Sequence, residues 1–274
     1  TMAMPMAEGG ARAPGATMRL TYYFDVVSPY SAFSWAVIQR YKDVWGFELV
    51  LRPVFLGGLM QLSGNKPPGL LPARAAYMVE DLRRNARFFE VPLLPMPANF
   101  LSEAARGVMQ CQRLLCAALT RSDLQRTEAL VTELTSRIHL DASFRDEGNN
   151  VLINDALLLE ALEASGFSTE EAQALLNRVA SPEVKDALKS NTAEAAEIGA
   201  FGSPTMLVEL DACGEAGRST RESRSPEQFL VFGSDRFEQL AFMTGKTWFG
   251  PNLGRRNSNV GTSSARYMMS RPRL

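Results

Sequence analysis

Residues 28–31 read Ser-Pro-Tyr-Ser. They follow the apolar run RLTYYFDVV, residues 19–27, and open a stretch with helical periodicity. Serine is a favoured N-cap and proline a favoured first helical residue, so Ser28 is predicted to stand at a helix N-terminus. A serine hydroxyl is a poor nucleophile without a base beside it. The single histidine, His139, lies far along the chain in a helical segment with no partner motif. The chemistry open to Ser28 is donation of a hydrogen bond to an anion, helped by the positive end of the helix dipole. Taken alone, a Ser-Pro start is equally a plain helix cap. Two more polar pairs invite the same question: Ser203-Pro204 before a strand, and Ser234-Asp235 before the last apolar helical pattern.

The elements that must position these residues follow from the pattern. The run 19–27 is aromatic and β-branched and predicts a strand. Phe33, Val37 and Tyr41, with Ile38 beside them, recur at helical spacing, and Gly46 ends that helix. FELVLRPVFL, residues 47–56, alternates apolar and polar residues and predicts a second strand. This is a βαβ unit, so its two strands should run parallel with a right-handed crossover. From about Pro72 to Gly199 nearly everything is helical in pattern. Val108, Cys111 and Leu115 share a stripe, Ser168-Thr-Glu-Glu171 is a capping box, and Ser181-Pro182 is another Ser-Pro helix start. Strand character returns at PTMLVEL (204–210) and FLVF (229–232), joined by a polar, turn-rich connection expected to be exposed. The last pattern, GSDRFEQLAFMTG (233–245), predicts a helix begun by Ser234-Asp235, with Phe237, Leu240, Ala241 and Thr244 on one face.

The order β-α-β, helical block, β-β-α predicts an α/β protein: a thioredoxin-like fold with a large all-helical insertion. The organisation read from it is a disordered leader or expression remnant over residues 1–18, a discontinuous thioredoxin-like domain over 19–71 and 200–250, the insertion over 72–199, and a flexible tail over 251–274. In thioredoxin-like redox sites the 28–31 position holds C-x-x-C. Here both sulfurs are replaced by oxygen. The three cysteines, Cys111, Cys116 and Cys213, form no C-x-x-C. With a net charge of −1, no bulk charge argues for nucleic acid or an anionic membrane. No apolar run approaches the ~18 residues that span a bilayer, and one histidine poorly supplies a His/Cys metal site or a Ser-His-Asp triad.

YYFDVVSPYS, SGNKPPGLLP, GAFGSPTMLV and FGSDRFEQLAFMTGKTWFGP, in that order between residues 22 and 251, resemble the signature stretches of kappa-class glutathione transferases. That family is related to the disulfide oxidase DsbA and to 2-hydroxychromene-2-carboxylate isomerases. The resemblance implies an enzyme, a glutathione S-transferase with glutathione as co-substrate and no metal, that conjugates a small electrophile, reduces peroxides and serves detoxification. It implies a homodimer. Carried over residue by residue, Ser28 is the catalytic donor to the glutathione thiolate. A free thiol of pKa ~8.5 is only about 3% ionised at pH 7, and a shift of ~2 units, about 2.7 kcal/mol, makes it mostly thiolate. Pro29 and Tyr30 complete that turn. Ser203 precedes an expected cis-proline, Pro204, and offers its backbone to the extended tripeptide as an added strand would. The family has an apolar residue where Ser203 stands. Asn65, with Lys66 beside it, is a polar contact to the glutathione backbone. Arg74 replaces a lysine and pairs the glycyl carboxylate. Ser234 takes the γ-glutamyl carboxylate, and Asp235 its ammonium.

Two rival functions fit the same residues: a glutathione-dependent 2-hydroxychromene-2-carboxylate-type isomerase, and a non-catalytic thiol-binding or assembly partner. The remaining chemistry-bearing residues carry plainer expectations. His139 is a surface or packing histidine, Cys111 and Cys116 are structural, and Cys213 sits in the polar connection. The chain ends in Pro272-Arg273-Leu274, a degenerate form of the peroxisomal Ser-Lys-Leu signal. The expected address is peroxisome or mitochondrion, with the cytosol also open.

Overall fold

The computed structural model describes residues 18–100, 105–121, 124–210 and 227–253. The leader, the 211–226 connection with Cys213, and the tail beyond 253 lie outside the described residues.

Strand β1 (Met18–Phe24) leads into helix α1 (Pro29–Trp45), and α1 into strand β2 (Phe47–Pro53). β1 and β2 pair in parallel from Met18 opposite Phe47 to Phe24 opposite Pro53. Met18, placed in the leader by sequence, is the first residue of the strand and is buried. Gly46 ends α1 in the left-handed region at φ 62°, where a residue without Cβ carries no penalty. Strands β3 (Thr205–Leu210) and β4 (Glu227–Phe232) add on antiparallel, giving the order β2-β1-β3-β4. The central strand β1 is buried along nearly its whole length, as a strand flanked on both edges and covered on both faces must be. Phe33, Val37, Ile38 and Tyr41 of α1 are fully buried against it; each such side chain contributes about 1.5–3 kcal/mol of burial.

The second strand is shorter than its sequence suggests. It stops at Pro53, and Leu56–Ser63 forms a short helix, α2. The glycines that disguise this helix have a packing reason. A Cβ on Gly57 or Gly58 would come within 3.0 Å of the Phe55 ring, so Phe55 lies across the first turn. From there the chain enters the insertion: α3 (Pro72–Phe89), α4 (Ala105–Leu119), α5 (Leu124–Thr135), a π-type turn (Ser136–Leu140), α6 (Asp155–Ala164), α7 (Thr169–Arg178) and α8 (Pro182–Glu197). Ser168 and Glu171 form the expected capping box of α7, and Ser181 caps α8. One hydrophobic core runs through both halves: Phe24, Val26 and Phe33 pack in the same cluster as Val108, Cys111, Leu114 and Leu115 of α4.

The last helix, α9, spans Phe237–Thr244 and buries Phe237, Leu240, Ala241 and Thr244. It begins later than expected. Arg236 is its N-cap and makes no side-chain cap bond, so Ser234 and Asp235 lie in the turn ahead of the helix rather than capping it. Beyond α9 the chain is tied back to α1. Tyr41 donates to the Gly250 carbonyl at 2.6 Å and Arg40 to the Pro251 carbonyl at 2.8 Å. Residues 251–253, assigned to the flexible tail by sequence, are therefore anchored at their start. No helix among the described residues is long and apolar enough to cross a membrane.

Candidate active site

Ser28 is the N-cap of α1, with Pro29 at the first helical position. Its side-chain oxygen accepts from the Ser31 N–H at 3.3 Å. Its hydroxyl donates to the Ser203 carbonyl at 3.0 Å. The peptide bond between Ser203 and Pro204 is cis. Helix start and proline turn, 175 residues apart in sequence, thus meet at a direct hydrogen bond. Ser28 is 5% exposed and Ser203 8%. The departure of Ser203 from the apolar family residue has a structural consequence: its Oγ sits 2.8 Å from Ser31 Oγ and accepts from the Asp25 N–H at 2.9 Å. The hydroxyl at the second position of the motif is thereby tied to the proline turn.

The other expected residues gather around this pair. Asn65 donates to the Phe201 carbonyl at 2.8 Å and accepts from the Lys66 N–H, which sets it beside the turn that carries Ser203. The Gly233 N–H donates to the Pro204 carbonyl at 3.0 Å, so the Ser234-Asp235 turn adjoins the cis-proline. Ser234 is buried and the Asp235 carboxylate is exposed beside Arg236. Asp235 is close enough to act on the Tyr30 phenol. That phenol donates to Asp81 of α3 at 2.8 Å; burial first, then Asp81, holds it protonated well above its ordinary range. In front of Tyr30 lies a pocket of about 360 Å³ lined by Tyr30, Pro68, Ala73, Arg74, Tyr77 and Met78. Ser28, Pro29, Tyr30, Asn65, Arg74, Ser203, Pro204, Ser234 and Asp235 therefore belong to one region. Among the described residues, no group of three or more His, Cys, Asp and Glu stands where it could hold a metal ion.

Asp25 was not singled out from sequence. Its carboxylate is buried and accepts from the Leu56 N–H at 2.8 Å and the Val27 N–H at 3.0 Å. Burial pushes its pKa up to about 7, against the pull of those two donors. Asp25 joins the end of β1, the Ser28 loop and the start of α2. His139 is a packing histidine, as expected, but not a remote one. It is buried and bonded to the Val26 carbonyl at 2.7 Å, and burial lowers its pKa to about 4. Cys111 and Cys116 are buried. Burial pushes Cys116 up to about 12 and Cys111 further, so both stay as thiols.

The strand order, the serine-led helix and the facing cis-proline define a protein of the thioredoxin-like class. The family model described as the DSBA-like thioredoxin domain matches residues 19–242. The chain is 34% identical over 230 residues to Glutathione S-transferase kappa 1 of Homo sapiens, covering 84% of this chain and 92% of that protein. It is 33% identical over 233 residues to Glutathione S-transferase kappa 1 of Rattus norvegicus, covering 85% and 93%. A solved structure of 2-hydroxychromene-2-carboxylate isomerase superposes with a TM-score of 0.61 over 83% of this chain and 94% of that one, at 20% identity. This chain belongs to the DSBA-like thioredoxin domain family and, within it, to the kappa-class glutathione S-transferases.

Proposed function

We propose that the protein is a glutathione S-transferase that activates the glutathione thiol at Ser28 and delivers it to an electrophile. The observation that carries this is the Ser28 hydroxyl, seated at the N-terminus of α1 and 3.0 Å from the carbonyl of the residue before the cis-proline. An extended tripeptide laid along Ser203 pairs with that carbonyl through its cysteinyl N–H, as an added strand does. The Ser28 hydroxyl then exchanges its carbonyl partner for the sulfur. A carbonyl acceptor gives way to a thiolate, so the new bond is charge-assisted and the stronger of the two. The helix dipole acts at the same point and in the same sense.

The ends of the tripeptide fall to the residues around this centre. The Ser234-Asp235 turn receives the γ-glutamyl group, with Asp235 opposite its ammonium. Asn65 holds the peptide backbone, and Arg74 faces the glycyl carboxylate. The pocket walled by Tyr30, Tyr77 and Met78 receives the apolar part of the electrophile. Half-buried Tyr30 retains its phenol proton and donates it in a hydrogen bond to Asp81, so its ring is a fixed wall rather than a second acid. For the homodimer, the supporting observation is the exposure of Leu70, Leu71, Val79 and Phe88 on and beside α3, apolar side chains on a largely solvated helix; sedimentation at micromolar concentration reads the oligomer directly.

The test of function is turnover of a chloronitrobenzene-type electrophile with glutathione, following both chloride release and glutathione loss. Stoichiometric loss supports the transferase. Conversion of a hydroxychromene carboxylate without net glutathione loss makes the protein an isomerase. Tight glutathione binding with no turnover of either substrate makes it a binding partner.

A further inference from the structure

Two side chains of the helical insertion close on a single residue of the Ser28 loop. Val26 stands two residues before Ser28. Its N–H donates to Gln112 Oε1 at 3.2 Å, and its carbonyl accepts from His139 Nε2 at 2.7 Å. Gln112 lies on α4 and is fully buried. Its Nε2 also donates to the Phe24 carbonyl at 2.8 Å and the Val54 carbonyl at 2.9 Å. One glutamine thus bonds the end of β1, the residue just past β2 and the loop between β1 and α1, where a buried unpaired backbone group would be costly.

His139 reaches Val26 because α5 does not end as an ordinary α-helix. It runs into the π-type turn Ser136–Leu140, closed by the Asp141 N–H on the Ser136 carbonyl at 3.0 Å. Such turns carry an extra residue and re-aim side chains, and they recur at functional sites. The His139 carbonyl is held in turn by the Leu94 N–H at 2.9 Å. Since a carbonyl only accepts, Nε2 carries the proton, and the buried ring keeps that tautomer. The rest of the loop is gripped from the thioredoxin-like side. Val27 N–H goes to the Asp25 carboxylate and Ser28 N–H to the Asp25 carbonyl. On that side Asp25 also meets the Leu56 N–H of α2 and places its own N–H on Ser203 Oγ; Gln112 and His139 tie the loop to the helical insertion.

We propose that Gln112 and His139 are positioning residues for Ser28: the insertion uses them to hold the 25–28 loop so that the Ser28 hydroxyl meets the sulfur of bound glutathione. This rests on the glutathione reading above. The hydrogen bond to a thiolate is short-range, and a displacement of the donor by a fraction of an ångström weakens it steeply. The insertion is therefore part of the thiol-activating device as well as a wall for the electrophile.

The experiment compares wild type with Gln112→Met, His139→Leu and His139→Asn, the last retaining an N–H donor. Two quantities are measured. One is the pKa of bound glutathione, from thiolate absorbance across pH. The other is the affinity for S-methylglutathione, which has no thiol to ionise. Positioning predicts that Gln112→Met and His139→Leu raise the bound thiol pKa by about one unit, a roughly tenfold loss of thiolate at low pH. S-methylglutathione affinity should stay within about twofold, and His139→Asn should recover part of the shift. A purely structural role predicts lower thermal stability with the thiol pKa unmoved in every folded variant, and that result overturns the proposal. If His139→Leu does not fold, Gln112→Met and His139→Asn decide the outcome by the same criterion. A wild-type protein that binds glutathione without lowering its thiol pKa overturns the underlying functional reading instead, so the two failures are distinct.

Discussion

Replacing Ser28 by alanine isolates the hydroxyl from everything else at the helix start. The perturbation is structurally modest. The cap bond from the Ser31 N–H is long, 3.3 Å, and Pro29 presets the first helical turn. Loss of the cap costs about 1 kcal/mol of stability, and the Ser203 carbonyl loses one donor that a bound peptide or water replaces. The chemical effect is larger. A hydrogen bond to a charged partner is worth about 1.5–3 kcal/mol, which is roughly one to two units in the pKa of the bound thiol. If the thiol titrates near ~6.5 in the wild type and near ~8 in the variant, the thiolate fraction at pH 6.5 falls from about half to about 3%. Turnover at pH 6.5 should therefore drop by ten-fold or more. At pH 9 the gap should close, because both proteins then hold mostly thiolate, and the more basic thiolate of the variant is intrinsically the better nucleophile. The assay is the initial rate with a chloronitrobenzene-type electrophile at saturating glutathione, at both pH values. Equal rates at pH 6.5, or a deficit that stays constant up to pH 9, would refute Ser28 as the thiolate donor.

Other outcomes follow from the same geometry. Ser31→Ala should reduce turnover by less than Ser28→Ala, since the Ser31 hydroxyl is engaged with Ser203 Oγ at 2.8 Å; an equal or larger loss in the same pH-rate assay would move the donor role to Ser31. Asp235→Asn should weaken glutathione binding while leaving kcat at saturating glutathione little changed, because the γ-glutamyl ammonium is remote from sulfur; normal affinity by calorimetry would reduce Asp235 to a turn residue. Asp25, whose folded pKa is raised to about 7 by burial, contributes stability that is present below about pH 4 and lost as pH rises through about 7, because the folded state holds the proton more tightly. Urea unfolding of wild type and Asp25→Asn across that window should show the wild type losing stability relative to the variant as pH increases, and a difference independent of pH would contradict it.

Much of the fold was legible because its signals are local. Ser28-Pro29 caps and starts α1, Gly46 closes it, and Ser168 with Glu171 forms a capping box; each depends on residues within a turn of one another. The βαβ unit then fixed the parallel pairing of β1 and β2 by connectivity alone. What escaped was tertiary. Gly57 and Gly58 look like a loop until the Phe55 ring is seen lying against them, so α2 has no local signal and its first residue, Leu56, falls within the strand expected over 47–56. The start of α9 slipped because Ser234-Asp235 has a cap composition, whereas the chain turns once more at Gly233, φ 98°, before the helix begins at Phe237. The candidate residues were grouped through motif order, since Ser28 and Ser203 are too far apart in sequence for any local pattern to join them. Gln112 and His139 gave no local sign at all. A glutamine among apolar neighbours on α4 and an isolated histidine acquire meaning only when both arrive at Val26.

The central claim is that this protein lowers the pKa of a thiol that belongs to its co-substrate. The direct measurement is a pH titration of the thiolate ultraviolet absorbance of glutathione bound to the wild-type protein, with S-methylglutathione as the blank. The account predicts a transition about two units below that of free glutathione, so that the bound thiol is mostly ionised at pH 7. A transition at the free value, with glutathione demonstrably bound, would contradict it.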